Sequence, residues 1–144
     1  MTNVRTSLRA ALAGLALAAG QTALARPAVT LDSAVFVERE TPEARVLERA
    51  ARLAPGDRIV TVLTWRRNGA GGFTLTNPLP RGIYYQGSAD GGEDVSVDGG
   101  KTWGKLGRLR IGGRFATPED VTHVRWRIAS PAPTGRIAYS AIVR

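Results

Sequence analysis

An acidic, glycine-rich loop carries the densest group of side chains in the chain that could bind a cation. Four carboxylates fall within it: Asp90, Glu93, Asp94 and Asp98. Carboxylate oxygens are ligands that Ca²⁺ prefers. The spacing fits no EF-hand loop, and loops rich in glycine and aspartate are also common as solvated turns. The loop is thus a candidate calcium site in which the ion would only stabilise the loop, and the sequence predicts neither a catalytic metal nor a cofactor.

Few groups in the sequence fit acid–base or nucleophilic catalysis. The chain has one histidine, His123, and no cysteine, so thiol catalysis and cysteine–metal sites are excluded. A catalytic histidine needs an orienting partner, and His123 falls in the middle of a predicted strand beside arginines. No G-x-S-x-G, P-loop or H-E-x-x-H motif occurs. We therefore predict no catalytic residues and no enzyme, with a small secreted hydrolase as the remaining alternative.

Aromatic side chains offer a second kind of site, because they stack on sugar rings. Three of them, Tyr84, Tyr85 and Trp103, are candidates for ligand-facing positions. Tyr84 and Tyr85 are neighbours in a predicted strand and therefore face opposite sides of it. Trp65 and Trp126 alternate with polar residues and are predicted to point into a core. A small carbohydrate-binding protein that uses its exposed aromatics is the main alternative function.

A hairpin motif follows the acidic loop. Residues 96–103 read SVDGGKTW, which fits S-x-D-x-G-x-T-W and resembles the Asp-box on β-hairpins of sialidase-like propellers. Asp98 can accept hydrogen bonds from amides of the turn, and Gly99 and Gly100 permit the positive φ that primed hairpin turns need. A propeller needs several blades, and the chain holds one such box. We predict a structural hairpin over residues 94–103 and not a glycosidase.

The elements that position these groups are predicted to be strands. In the segment PGDRIVTVLTWRRNG at 55–69, Ile59, Thr61, Leu63 and Trp65 share one face by the two-residue period. Turn residues bound this segment on both sides. Further strands are predicted at Val29–Leu31 with Ala34–Val37 (one strand, with a break at Asp32-Ser33 as the alternative), at Leu106–Ile111, at Val121–Ala129 and at Ile137–Val143.

Several of these segments together resemble a known family. The run PGD-x-I-V-x-V-L-x-W, an N-x-G-type turn, and TLTNPLPxGIYYQGSA resemble the conserved-repeat, immunoglobulin-like domain of bacterial surface proteins, which is the domain-of-unknown-function family number eleven. The resemblance covers the chain from Val35 onward, with Arg67 where the family has asparagine. It implies an all-β fold, an antiparallel immunoglobulin-like β-sandwich of about seven or more strands.

The segment 41–54 can be interpreted in two ways. Thr41 can cap a helix with Pro42 at its first position, and an apolar stripe would then follow at helical spacing. The family resemblance favours a turn at Thr41–Ala44 and a strand at Arg45–Leu53. We favour the strand.

The N-terminus has the organisation of a targeting segment. Two arginines precede the apolar run Ala10–Gly20, which is too short to span a bilayer, and Ala23-Leu24-Ala25 is an A-x-A cleavage site. This order is typical of a secretory signal peptide. We predict a signal peptide over 1–25, one domain over 26–144, and a periplasmic or extracellular protein with no transmembrane segment after cleavage; a short amphipathic anchor is the alternative.

The charge of the chain bears on its partners. Lysine and arginine number 20 against 12 acidic residues, a formal net charge of +8, which favours anionic partners. The arginines are scattered and do not form the runs that mark nucleic-acid patches, so no nucleic acid is expected. We predict an exported, non-catalytic structural or interaction module of the bacterial envelope, bound to an envelope protein or an anionic envelope polymer. The oligomeric state stays open.

Overall fold

The computed structural model describes residues 28–69 and 71–144, and the predicted signal peptide lies outside the described residues. Strands dominate this part of the chain, and two short 3-10 helices, Leu106–Arg108 and Pro118–Asp120, are its only helical segments. No helix in these two ranges has the length and apolar character needed to cross a membrane. The ten strands of the described residues are β1 Val29–Glu40, β2 Arg45–Arg49, β3 Arg58–Arg67, β4 Phe73–Pro78, β5 Ile83–Ser88, β6 Asp94–Ser96, β7 Arg110–Ile111, β8 Arg114–Phe115, β9 His123–Ile128 and β10 Thr134–Val143.

Two antiparallel sheets pack face to face. The large sheet has the strand order β2-β1-β3-β10-β5, and the small sheet has the order β4-β9-β6; β7 and β8 form a separate hairpin. One cluster of buried residues draws on both sheets, as Leu63 of β3 and Val124 of β9 illustrate. The prediction of an all-β, antiparallel sandwich is confirmed.

Strand β3 lies at the centre of the large sheet because it pairs with β1 on one side and with β10 on the other. The alternation predicted for it is confirmed: Ile59, Leu63 and Trp65 are buried against the small sheet. Trp126 of β9 is also buried, as predicted, and its ring lies 6.0 Å from that of Tyr139 between ring centres. Aromatic rings therefore fill the space between the sheets.

Three details of the strand predictions change. β1 runs without the predicted break at Asp32-Ser33, because both residues pair with β3. The strand interpretation of segment 41–54 is confirmed and the helix is wrong, but β2 ends at Arg49 and not at Leu53. Leu106–Ile111 was predicted as one strand, which is wrong: a 3-10 turn replaces its first half. Gly107 lies in that turn, and glycine weakens a strand.

A close approach of two strands makes one glycine necessary. Gly135 of β10 lies directly opposite Trp65 of β3, and the indole covers the glycine. A Cβ built on Gly135 would lie 2.0 Å from Cζ2 of Trp65, far inside van der Waals contact. The large indole and the missing side chain are therefore complementary.

We expect Gly135→Ala to lower the free energy of unfolding by about 2–3 kcal/mol, because overpacking forces Trp65 or the β10 backbone to move. Urea unfolding followed by tryptophan fluorescence measures the change. Gly107→Ala is the matched control: no heavy atom lies within 4 Å of its Cβ position, so its effect should stay below about 1 kcal/mol. Equal unfolding midpoints for the two variants would contradict the packing of Trp65 on Gly135.

Candidate binding site

The four carboxylates of the acidic loop are not grouped around a common point. Within the described ranges, no group of three or more His, Cys, Asp or Glu side chains is arranged to hold a metal ion. Asp90 is exposed, and each of the other three carboxylates bonds to donors of the chain itself. The geometry therefore gives no support to a calcium site at Asp90, Glu93, Asp94 and Asp98, since three of the four are already satisfied by protein groups.

Asp94 is surrounded by cations. Its carboxylate lies 3.2 Å from Nη2 of Arg125, 3.6 Å from Nζ of Lys105 and 3.7 Å from Nη1 of Arg127. Burial alone would raise the pKa of Asp94, but the hydrogen bond from Arg125 and the neighbouring charges hold it below its usual value. Asp94 thus holds basic side chains of β9 in place, and its carboxylate is engaged in ion pairs with them.

Trp103 is packed into the hairpin and one of its faces is covered. The guanidinium of Arg125 lies 4.3 Å from the ring centre of Trp103, and the ring of His123 meets it edge-on at 6.3 Å. The indole Nε1 donates to the carbonyl oxygen of Gly100 at 2.9 Å. A cation over the ring competes with a sugar for that face.

The two tyrosines also have partners inside the chain. Tyr85 is buried, 3% exposed, and its hydroxyl donates to the carboxylate of Glu93. Burial first, and then the bond to Glu93, raises the pKa of Tyr85. Tyr84 points to the other side, where the guanidinium of Arg144 lies 3.9 Å from its ring centre. The prediction of Tyr85 as ligand-facing is wrong, and Tyr84, Tyr85 and Trp103 share no surface.

His123 borders an open cavity of about 470 Å³ with Leu79, Glu119 and Arg144. The Nδ1 atom of His123 lies 3.1 Å from the hydroxyl oxygen of Thr122. Among the described residues this hydroxyl is its hydrogen-bond contact, and no carboxylate bonds to the ring. The cavity thus brings basic, acidic and apolar groups together, and in the described residues the group that contacts the imidazole is a hydroxyl and not the carboxylate that often orients a general base.

Asp98 organises the hairpin as predicted. Its carboxylate accepts the backbone N–H of Thr102 at 2.9 Å and of Lys101 at 3.1 Å, and also the hydroxyls of Thr102 and Ser96 at 2.7 and 2.8 Å. These donors hold the pKa of Asp98 well below its usual value, with the backbone N–H of Thr102 as the largest cause. Gly99 and Gly100 adopt φ of +78° and +88°, so the turn uses the conformations that the sequence predicted.

One cavity with a mainly apolar lining was not predicted from the sequence. It is a groove of about 300 Å³ between β1 and the corner that connects β4 to β5. Its apolar wall includes Val35, Leu53, Pro78, Pro80, Ile83 and Val143. At its inner end the hydroxyl of Tyr139 accepts a hydrogen bond from Asn77 Nδ2 at 2.9 Å. We call this cavity the apolar groove.

An unpaired strand edge adjoins the apolar groove. β2 pairs only with Phe36–Glu40 of β1, so no described strand pairs with residues 29–35 on that side. Leu31 faces the interior side of the sheet, opposite Trp65, yet it is 43% exposed. We call residues 29–35 the open edge. The open edge and the apolar groove together leave one side of the sandwich uncovered.

The ionised carboxylate of Asp98 should make the stability of the folded chain depend on pH. Since the pKa of Asp98 is lower in the folded chain than in the unfolded chain, its contribution to stability is complete above about pH 4 and is lost as the pH falls toward the folded-state pKa. We expect Asp98→Asn to be less stable than wild type at neutral pH, and the difference in urea midpoint to shrink below about pH 4. Asp90→Asn, at an exposed loop position, is the control and should show no difference at either pH. A difference that persists undiminished in acid would contradict this role of the ionised carboxylate.

Comparison with known proteins identifies no relative of this chain. No family model, no curated protein and no solved structure matches the chain. The resemblance to the conserved-repeat surface domain is therefore still a prediction.

Proposed function

We propose that the protein is an exported, non-catalytic interaction module of the bacterial envelope, and that it binds an extended segment of a partner protein by adding it as a strand to the open edge. The observation that carries this proposal is the open edge itself, which lies beside an apolar groove that side chains of an added strand can fill. Strand addition of this kind gives affinity through backbone hydrogen bonds and specificity through side-chain pockets.

The backbone directions along β1 support strand addition. In an antiparallel strand, the N–H and C=O groups of one residue point to the same side, and successive residues alternate. The carbonyl of Val35 accepts from Ala50 on the β2 side, whereas the carbonyl of Ala28 accepts from Asn68 at the end of β3. By this alternation the backbone groups of Leu31 and Ser33 point outward from the open edge, available to a partner.

The side chains along the open edge predict what the partner presents. An added strand directs every second side chain toward the interior side of the sheet, where it would cover Leu31 and approach Val35 at the mouth of the apolar groove. Those positions of the partner should therefore be apolar. The open edge contains no lysine or proline, two residues with which exposed edges are often protected from pairing, and its one charged residue is Asp32.

The predicted signal peptide supports the proposal that the protein binds its partner after export from the cytoplasm. An unprotected edge that binds extended segments suits a compartment where partners arrive unfolded or carry extended tails. The charge of +8 favours retention near anionic envelope components.

Strand addition can be tested by panning a displayed library of unconstrained peptides against the chain. We expect enriched peptides with apolar residues at alternate positions, and we expect Ser33→Pro to weaken their binding at least about tenfold, because proline removes an outward N–H. Proline is tolerated on an edge strand where its nitrogen faces solvent, so the fold should persist; circular dichroism checks this.

Ser33→Ala is the matched control, since it removes the side chain and keeps the N–H. Its affinity should stay within about twofold of wild type, whereas a tenfold change corresponds to about 1.4 kcal/mol of binding free energy. Failure to enrich any peptide, or equal affinity for the proline and alanine variants, would overturn strand addition at the open edge.

Export has its own test. In a Gram-negative host we expect the intact mass of a chain that begins at Arg26, in the periplasm or the medium, because signal peptidase cleaves after small residues in an A-x-A site. Ala25→Arg should block the cleavage and leave the chain in the inner membrane. A full-length mass for the wild-type chain in the membrane fraction would contradict the signal peptide and make the N-terminal segment an anchor.

A further inference from the structure

The outer face of the large sheet, which points away from the small sheet, carries an apolar centre. Phe36 of β1, Val60 of β3 and Ser140 of β10 lie side by side across three strands, and so do Ala34, Val62 and Ala138. Ile142 and Tyr84 extend the same face toward β5. The apolar members of these rows are only partly exposed, because they shield one another. We call this surface the outer patch: Ala34, Phe36, Val60, Val62, Ala138 and Ile142.

Arginines border the outer patch on several sides. Arg49 lies next to Phe36, Arg58 next to Ile142, and Arg136 next to Thr64 in the strand register. Arg66 lies farther along β3 on the same face. All four side chains are exposed, and no ion pair joins any of them to a carboxylate within the described residues.

The acidic groups on this face do not neutralise those arginines. Glu38 and Glu40 both pair with Arg45, at 3.4 and 3.3 Å. Asp32 lies beside Thr64 in the register and is the remaining carboxylate among the described residues of this face of β1. The outer patch is therefore an apolar surface with an excess of unpaired positive charge at its border.

We propose that the outer patch docks the protein on an anionic phospholipid bilayer. Guanidinium groups bind phosphate oxygens in a bidentate manner, and basic side chains near an anionic lipid surface each strengthen the attachment. The apolar centre between them fits the region just below the phosphates, where apolar side chains of peripheral proteins insert.

A lipid surface suits this face better than an anionic polymer. An anionic polysaccharide would engage the arginines but would leave Phe36, Val60 and Val62 in water. Charge at the border and apolar surface at the centre match a partner that is anionic at its surface and apolar beneath, and a bilayer meets both conditions over a flat area.

The outer patch and the open edge are separate surfaces of the large sheet. The backbone groups of Leu31 and Ser33 lie in the plane of the sheet, whereas the outer patch faces away from that plane. A chain docked on lipid through the outer patch would keep its open edge accessible from the side. The docking proposal can therefore fail while strand addition stands, and the reverse.

Vesicle co-sedimentation tests the docking. We expect the chain without residues 1–25 to bind vesicles of phosphatidylcholine mixed with phosphatidylglycerol, to bind poorly to phosphatidylcholine alone, and to be released by salt. Each arginine removed should weaken binding about fivefold, so that Arg66→Gln with Arg136→Gln costs about 25-fold. The matched control, Arg108→Gln with Arg127→Gln, makes the same charge change away from the outer patch, since Arg127 lies on the small sheet, and should stay within about twofold.

The apolar centre has a separate readout. Val60→Thr with Val62→Thr keeps β-branched side chains suited to a strand, yet should weaken vesicle binding several-fold while leaving any binding to soluble dextran sulfate unchanged. Equal losses for the two arginine pairs would show a diffuse charge effect and overturn the proposal. Vesicle binding that is insensitive to the threonine pair, together with equally strong dextran sulfate binding, would assign the surface to an anionic polymer and also overturn it.

Discussion

The large sheet is wider than the small sheet that covers it, and both the open edge and the apolar groove depend on this mismatch. Five strands face three, so part of the interior side of the large sheet lies beyond the small sheet. In the N-terminal half of β1 the cover ends, which leaves Leu31 43% exposed beside its neighbour Trp65, 6% exposed. Apolar surface left in water by such a mismatch costs about 25 cal/mol per Å², and a partner strand at the open edge would recover that free energy.

The carboxylates that the sequence offered as candidate ligands stabilise the fold instead, because internal hydrogen bonds and ion pairs already use them. The small sheet is short, and its strand β6 has only three residues, so the loop beyond it needs side-chain bonds to hold its shape. Asp98 closes the turn, Glu93 accepts from Tyr85, and Asp94 pairs with cations of β9 and of the loop. A carboxylate bound to several donors has little capacity left for a metal ion or a proton-transfer step.

Short sequence patterns correctly predicted the features that depend on interactions between neighbouring residues. The two-residue period identified β3 and β9, and the spacing of Asp98 from its glycines identified the hairpin, since neighbouring residues determine both. The apolar groove could not be predicted in this way, because Val35, Pro80 and Val143 come from three distant segments that meet only in the folded chain. The burial of Tyr85 was also unpredictable, because alternation shows that Tyr84 and Tyr85 point apart but not which of them faces the core.

Strand β3 carries a further signal in its apolar residues. Ile59 and Leu63 supply the core, yet Val60 and Val62 between them are apolar as well, and they lie on the outer patch. An antiparallel strand with one wet face normally alternates apolar with polar residues, whereas apolar residues on both faces are typical of a strand covered on both sides. Threonine at 60 and 62 would serve strand geometry equally well and would expose less apolar surface. The sheet thus carries outward apolar side chains that its own core does not need. Such side chains are expected on a face that a partner outside the chain covers.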